Sequence, residues 1–175
     1  MKKKKKNYLI LKKLNLKNIN IEYLKWMNDK EVTKFTEQRF KKHSLLDIKN
    51  FVREKNKSKN EFLYGIFIKK KSILKHVGNI KLGPINKIHK SAEISYIIGN
   101  RNFWKMGIGT DAVKAIVKIA KKKFKLKKLV AGCYENNLGS IKVLKNNNFK
   151  QEAKFISQIL YSSKRINMIV YGLII

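Results

Sequence analysis

Ala92-Glu93-Ile94-Ser95-Tyr96-Ile97-Ile98-Gly99, followed after four intervening residues by Trp104-Lys105-Met106-Gly107-Ile108-Gly109-Thr110, decides how this chain is read. The first stretch reads as a strand, and Asp111 to Phe124 after the second reads as a helix. Gly107 and Gly109 open the backbone to conformations closed to residues with a Cβ, so consecutive N–H groups can face one concavity at the positive end of a helix dipole. A pyrophosphate fits such a cradle. An ordinary strand-to-helix turn shows the same glycine spacing, so the rest of the chain has to decide.

With 175 residues, 43% of them hydrophobic and 10% aromatic, the expectation is one domain over residues 1–175 with a full core. Cys133 is alone and builds neither a disulfide nor a metal site, and His43, His76 and His89 show no ligand spacing, so no metal is expected. Neither a linker-like stretch nor an internal repeat occurs, and the only proline is Pro84.

Met1 and Lys2–Lys6 imitate the charged start of a secretion signal, but Lys12 and Lys13 cut the apolar run that begins at Tyr8. No apolar run approaches the roughly 20 residues of a membrane span. A cytoplasmic location is expected, and a lone cysteine suits a reducing compartment. Against 11 Asp and Glu stand 42 Lys and Arg, a formal charge of +31. Such a field attracts polyanions and steers anionic ligands. Most of the excess is lysine spread along the whole chain beside abundant Asn and Ile, the pattern of A/T-rich codon usage, whereas a dedicated nucleic-acid surface concentrates Arg and aromatics. Specific nucleic-acid binding is not expected.

Tyr8 to Leu14 is a candidate strand, Ile19 to Trp26 a short amphipathic helix, and Ser44-Leu45-Leu46-Asp47 a capping box that opens a helix through Val52. Glu61 to Ile68, Lys75 to Leu82 and Ala92 to Ile98 read as an antiparallel meander. Beyond the helix at Asp111 come a strand at Leu129 to Cys133, a helix from Ser140 to Leu144, and a hairpin of Phe149 to Leu160 with Asn167 to Leu173. The expected order is β-α-α-β-β-β-α-β-α-β-β.

That order, with glycines after the fourth strand, resembles the GNAT superfamily of acetyl-CoA-dependent N-acetyltransferases over nearly the whole chain. Trp104 to Gly109 is similar to its Arg/Gln-x-x-Gly-x-Gly/Ala signature, with Trp104 in the first place, as in the subgroup of ribosomal-protein and sugar-nucleotide acetyltransferases. Asn137 to Phe149 resembles that subgroup's Asn-x-x-Ser-Ile-x-x-Leu-x-Lys-x-Gly-Phe, with Asn148 for the glycine. Trp26-Met27-Asn28-Asp29-Lys30-Glu31-Val32 is similar to a segment near the start of many relatives.

The resemblance implies an α/β (α+β) fold with a mixed, mostly antiparallel sheet flanked by helices. It further implies that the fourth and fifth strands splay around the pantetheine arm of acetyl-CoA. The backbone of Ile97, Ile98 and Gly99 would then pair with that arm. The N–H groups of Met106, Gly107, Ile108, Gly109 and Thr110 would hold the pyrophosphate, with Lys105 adding charge. Asn137 and Ser140 would sit near the thioester, with a helix cap as the alternative for Asn137.

Acetyl transfer needs a neutral amine. Glu93, where several relatives carry a glutamate, would act through a water as base, or else be a structural carboxylate paired with a lysine. His89 is a second candidate base. A backbone N–H of the fourth strand would meet the developing oxyanion. Relatives protonate the departing thiolate with a tyrosine where Leu144 stands here. Ser140, a water, Tyr134 or Tyr171 are left as donors, or the thiolate leaves unprotonated, which its reference pKa of about 8.5 tolerates. The resemblance implies acceptor contacts on Glu37 to His43, Ile85 to Lys90 and Tyr161 to Met168, whose basic residues include Arg39, Lys41, Lys42, His43, Lys87, His89, Lys90, Lys164 and Arg165. An anionic acceptor, a nucleotide-linked amino sugar of a surface-glycan pathway, is the leading expectation. A protein N-terminus is the alternative within the class, and a non-catalytic acyl-CoA or nucleic-acid binding module the alternative outside it. The sequence leaves monomer and homodimer open.

Overall fold

The computed structural model describes residues 8–175; Met1 and Lys2–Lys6, the signal-like start, lie outside the described residues. β1 (Tyr8–Lys13) leads to α1 (Ile21–Asn28), capped by Asn20, whose side chain accepts the Tyr23 N–H at 3.0 Å. Asp29 closes α1 and caps a further turn, α2 (Lys30–Thr33), which periodicity alone does not separate. The expected capping box opens α3 (Leu45–Lys57): Ser44 Oγ accepts the Asp47 N–H at 3.1 Å and Asp47 Oδ2 accepts the Ser44 N–H at 2.9 Å. Lys55 and Lys57 suit the negative end of the helix, which runs past Val52.

β2 (Phe62–Lys70), β3 (Ile73–Asn86) and β4 (Ser91–Ile98) form the antiparallel meander. They are followed by α4 (Ile108–Phe124), β5 (Lys128–Tyr134), α5 (Leu138–Asn146), and the hairpin β6 (Lys150–Tyr161) and β7 (Lys164–Ile174). The seven strands make one mixed, mostly antiparallel sheet in the order β1-β2-β3-β4-β5-β7-β6. Its parallel pair, β4 with β5, needs a crossover, and α4 supplies it.

α4 starts at Ile108 instead of the expected Asp111, because Gly107 turns left-handed at φ 80° immediately ahead of it. Gly109 is not left-handed: it lies within the helix, and a Cβ there would stand 3.1 Å from Val143 Cγ2. Its bareness lets α4 approach α5, a packing role in place of the turn role expected for it.

Two apolar layers clamp the sheet. On one face Val113, Ile116 and Ala120 of α4 pack on Ile66, Ile80, Ile94 and Leu129. On the other, Tyr23 and Trp26 of α1 and Ile48 and Val52 of α3 pack on Leu63 and Phe67. β2 is covered on both sides, and Leu63 to Ile68 is accordingly an unbroken buried run. Burial of each Val, Leu, Ile or Phe side chain there contributes about 1.5–3 kcal/mol, whereas exposed ion pairs such as Lys25–Glu22 are worth about 0–1 kcal/mol. The cores, not the charges, hold the fold.

His76 joins the second layer. Its ring stacks on Phe67 at 4.8 Å and meets Trp26 edge-on at 5.0 Å, and Nε2 lies 2.9 Å from Asn79 Oδ1. Burial holds its pKa below the ordinary value. The folded state therefore binds a proton less readily than the unfolded chain, whose imidazole titrates near pH 6.5. This contribution is fully present above about pH 6.5 and is lost as the pH falls toward the lowered folded value. Thermal melts should show wild-type Tm dropping from pH 7.5 to 5.5, with a shallower drop in His76→Gln; parallel slopes would contradict this.

Candidate active site

The parallel pairing of β4 and β5 covers only Ser91–Glu93 against Lys128–Val130. Past that point β4 stays on β3 as far as Ile98, opposite Gly78, and β5 stays on β7 as far as Tyr134, opposite Met168. The sheet splits between them. Each strand therefore turns an unpaired edge toward the other. Of Ile97, Ile98 and Gly99, the carbonyl of Ile98 already accepts the Trp104 indole N–H at 2.7 Å. This is the work of the tryptophan in the signature's first position: it ties the glycine turn to the end of β4.

Beside the split sits the cradle. Lys105 and Gly107 are both left-handed, at φ 59° and 80°. The first intrahelical donor of α4 is Asp111, whose N–H meets the Gly107 carbonyl at 3.0 Å. The N–H groups of Ile108, Gly109 and Thr110 thus have no acceptor within the helix and point along its positive end.

α5 lines the split from the β5 side. Asn137 is its N-cap, Oδ1 accepting the Ser140 N–H at 3.1 Å, the capping role held open above. Ser140 Oγ lies 2.8 Å from the hydroxyl of Tyr96, which reaches across from β4. Leu144, 0% exposed, is part of the core. The other two tyrosines are placed elsewhere: Tyr134 donates to Glu37 and accepts from Arg39, and Tyr171 is buried in the larger layer.

On the opposite face, a cavity of about 410 Å³ runs from α1 and α3 to Ser95, Tyr96 and Ile97 of β4. Tyr23, Met27, Ile48, Phe51 and Leu63 give it apolar walls, among which lie Lys41, His43, Lys55 and Lys81. The lysines there are paired. Lys41 is 2.9 Å from Asp47, and Glu61 bridges Lys55 at 2.6 Å and Lys81 at 2.8 Å. Hydrogen bonds from Lys55 and then Lys81 hold the Glu61 carboxyl below its ordinary pKa.

Glu93 is exposed and stands on the same face as Ser95, two residues back along β4. It lines a second, open groove with Ile85, Asn86 and Val130, and makes no ion pair among the described residues. The expected acceptor residues are differently placed. His89 is exposed in the β3–β4 turn and lines neither hollow, its backbone N–H meeting Asn86 Oδ1. Arg39, 15% exposed, donates to the carbonyls of Thr36 at 2.9 Å and Leu160 at 3.0 Å and to the Tyr134 hydroxyl, with its guanidinium 4.1 Å from the Phe40 ring. It fastens the segment before α3 to the β6 end of the sheet, so three of its five donors are met by protein groups. Among the described residues no His, Cys, Asp and Glu cluster suits a metal ion, and no helix is long and apolar enough to cross a membrane.

Residues 9–150 match the family model for the acetyltransferase (GNAT) domain, and the chain belongs to that family of acetyltransferases. No curated protein matches it. Solved structures share the fold at low identity. The ribosomal L7/L12 alpha-N-protein acetyltransferase RimL in complex with coenzyme A superposes with a TM-score of 0.82 at 18% identity, over 95% of this chain and 94% of that one. The microcin C7 self-immunity acetyltransferase MccE, in complex with acetyl-CoA and AMP, gives 0.81 at 20%, over 95% and 92%. Spermidine N-acetyltransferase from Vibrio cholerae, with CoA and spermine, gives 0.82 at 14%, over 95% of each chain.

Tyr96 and the lysine-lined cavity escaped the sequence reading. Alternation along β4 puts Tyr96 opposite in face to Glu93 and Ser95, but nothing local says that its hydroxyl ends 44 residues away on α5.

Proposed function

We propose that this chain transfers acetyl from acetyl-CoA to a primary amine, by direct attack of the amine on the thioester. The observation that carries the reading is a convergence on Ser95–Ile97: the split of the sheet opens there, the cavity is lined by those residues, and the Tyr96 ring lies 3.8 Å from the Cβ position of Gly109 at the start of α4. The free edges suit an extended amide-bearing chain, and the helix start suits a diphosphate. The cavity brings an amine to the opposite face. Ile97, Ile98, Gly99, Lys105, Met106, Gly107, Ile108, Gly109, Thr110, Asn137 and Ser140 would hold acetyl-CoA, which supplies the activated acetyl group. In this reading Ile98 contributes its N–H, since its carbonyl is taken.

The left-handed Gly107 has nothing within 4 Å of a Cβ built on it, so a substitution there acts through backbone conformation and the approach of ligand, not through a clash. Titration calorimetry should show Gly107→Val binding acetyl-CoA at least about a hundredfold more weakly than wild type, a loss of about 2.7 kcal/mol. Unchanged affinity in a folded Gly107→Val protein removes the cradle from the account.

Glu93 takes the amine's proton through a water in this reading. Its freedom from ion pairs among the described residues favours that role over a structural carboxylate. Glu93→Gln keeps the shape but not the basicity. Its kcat at neutral pH should fall about a hundredfold with acetyl-CoA affinity nearly constant, and rising pH should partly restore it. Wild-type turnover across the pH range would assign Glu93 a structural role.

The acceptor we favour is a nucleotide-linked amino sugar. A net charge of +31 repels a polycation and draws in an anion, and the solved MccE, of the same fold, is in complex with AMP as well as acetyl-CoA. With the cavity lysines already paired, the phosphates would lie at the rim, where exposed Lys42 stands between the lining residues Lys41 and His43, and the sugar amine would enter toward Ser95. The apolar cavity walls favour a peptide N-terminus as the second reading. In steady-state assays the nucleotide amino sugar should exceed the free amino sugar by about a hundredfold or more in kcat/KM, and much of that advantage should fade at high salt. Efficient acetylation of a peptide N-terminus with no activity on any nucleotide sugar gives the alternative.

A further inference from the structure

The residue at the place of the usual thiol-side tyrosine, Leu144, is sealed in the core and has no proton to give. A phenol nevertheless stands in the split. Tyr96 leaves β4 three residues past the last β4–β5 pair and projects toward α5, where its hydroxyl lies 2.8 Å from Ser140 Oγ and 3.4 Å from the Ser140 carbonyl. Its ring is also 3.8 Å from the position a Cβ would take on Gly109, the helix start that forms the cradle. One hydroxyl thus sits between the cradle, α5 and the strand edge, the place through which the thioester end of the bound arm must run.

We infer that the Tyr96 hydroxyl is the group that meets the departing sulfur of coenzyme A, holding it as a thiolate by an O–H···S⁻ hydrogen bond. The inference rests on the acetyltransferase reading above. In the free protein the Tyr96 and Ser140 hydroxyls share one hydrogen bond at 2.8 Å, in which either can donate. When sulfur arrives, Tyr96 turns its proton to it, and Ser140 donates to the Tyr96 oxygen, so that Ser140 is a positioning residue behind Tyr96. Two linked hydroxyls reinforce each other in a water-poor setting.

The magnitudes decide between a hydrogen bond and a full proton transfer. Burial raises the Tyr96 pKa to about 12, with the Ser140 hydrogen bond opposing and Cys133 adding to the rise. A thiol has a reference value of about 8.5 against about 10 for a phenol, and burial raises both, so moving the proton from phenol to thiolate is uphill. The proton therefore stays on Tyr96. The bond from the amine nitrogen to the acetyl carbon forms, the carbon–sulfur bond breaks with its electron pair going to sulfur, and the proton lost by the amine goes through water toward Glu93. The thiolate takes a proton from solvent after it leaves.

The test separates this role from packing. Tyr96→Phe keeps the ring and its contacts and should fold as wild type. Its kcat should fall about ten- to a hundredfold with the KM for acetyl-CoA little changed, the scale of one hydrogen bond to a charged group. An equilibrium measurement on the product gives a second reading. The thiol of bound CoA, followed by its ultraviolet thiolate absorbance, should titrate about one to two pH units lower on wild type than on Tyr96→Phe. At a pH between those values, calorimetry should show wild type preferring CoA over desulfo-CoA, with the preference gone in Tyr96→Phe. Ser140→Ala should give a smaller shift in the same direction. Unchanged kcat in Tyr96→Phe, or the same thiol titration on both proteins, overturns the inference. Failure of the wild type to bind either CoA or desulfo-CoA instead overturns the acetyltransferase reading on which it rests.

Discussion

The rest of the structure depends on where β4 and β5 stop pairing. Three residues on each strand match, from Ser91 opposite Lys128 to Glu93 opposite Val130, and then each strand continues along its other neighbour. A sheet interior normally leaves no backbone N–H or C=O without a partner. Here two edges are exposed within a seven-stranded sheet, and they stay apart because β4 is fixed by β3 and β5 by β7. In the function proposed above, the split is a binding slot made of backbone. Its end is closed by the Trp104 indole on the Ile98 carbonyl and its flank by the Tyr96–Ser140 hydroxyl pair.

The two faces of the sheet divide the work. On the α4 and α5 face lie the left-handed Gly107, the unpaired N–H groups of the first helical turn and Ser140; on the α1 and α3 face lies the 410 Å³ cavity. In the proposed function, a reactant held in the split would be approached from the cavity without crossing the sheet. Arg39 and Tyr134 fix the wall of that cavity by joining the segment before α3 to β5 and β6. This explains why the large excess of lysine is compatible with a defined site. The lysines inside the cavity are matched by Asp47 and Glu61, and the surplus lies on solvated surfaces such as Lys114, Lys118 and Lys121 of α4.

Much of this was legible in the residues. The element order follows from periodicity, the Ser44–Asp47 box marks the start of α3, and the glycine turn marks the cradle. Those features are local, and local chemistry sets them. What escaped is set by contacts between distant residues. Gly109 looks like a turn glycine but is bare because Val143 of α5 packs against it. Arg39 looks like a free rim cation, yet it binds groups 95 and 121 residues away on Tyr134 and Leu160. Tyr96 looks like a core aromatic, and only the fold brings its hydroxyl to Ser140. Asn137 is the intermediate case, since its capping role is readable from spacing while any role toward a ligand is not.

The central claim is that the slot between β4 and β5, with the Gly107 cradle beside it, is where the acyl donor sits. Amide resonances followed by NMR during titration with acetyl-CoA test it residue by residue. The account predicts the largest shifts at Ser95–Gly99, Met106–Thr110 and Asn137–Ser140, with small ones in β1 and in the lysines of α4. Shifts absent from β4 and the cradle at saturating acetyl-CoA, or concentrated on the α4 lysines as diffuse charge binding would give, would contradict it.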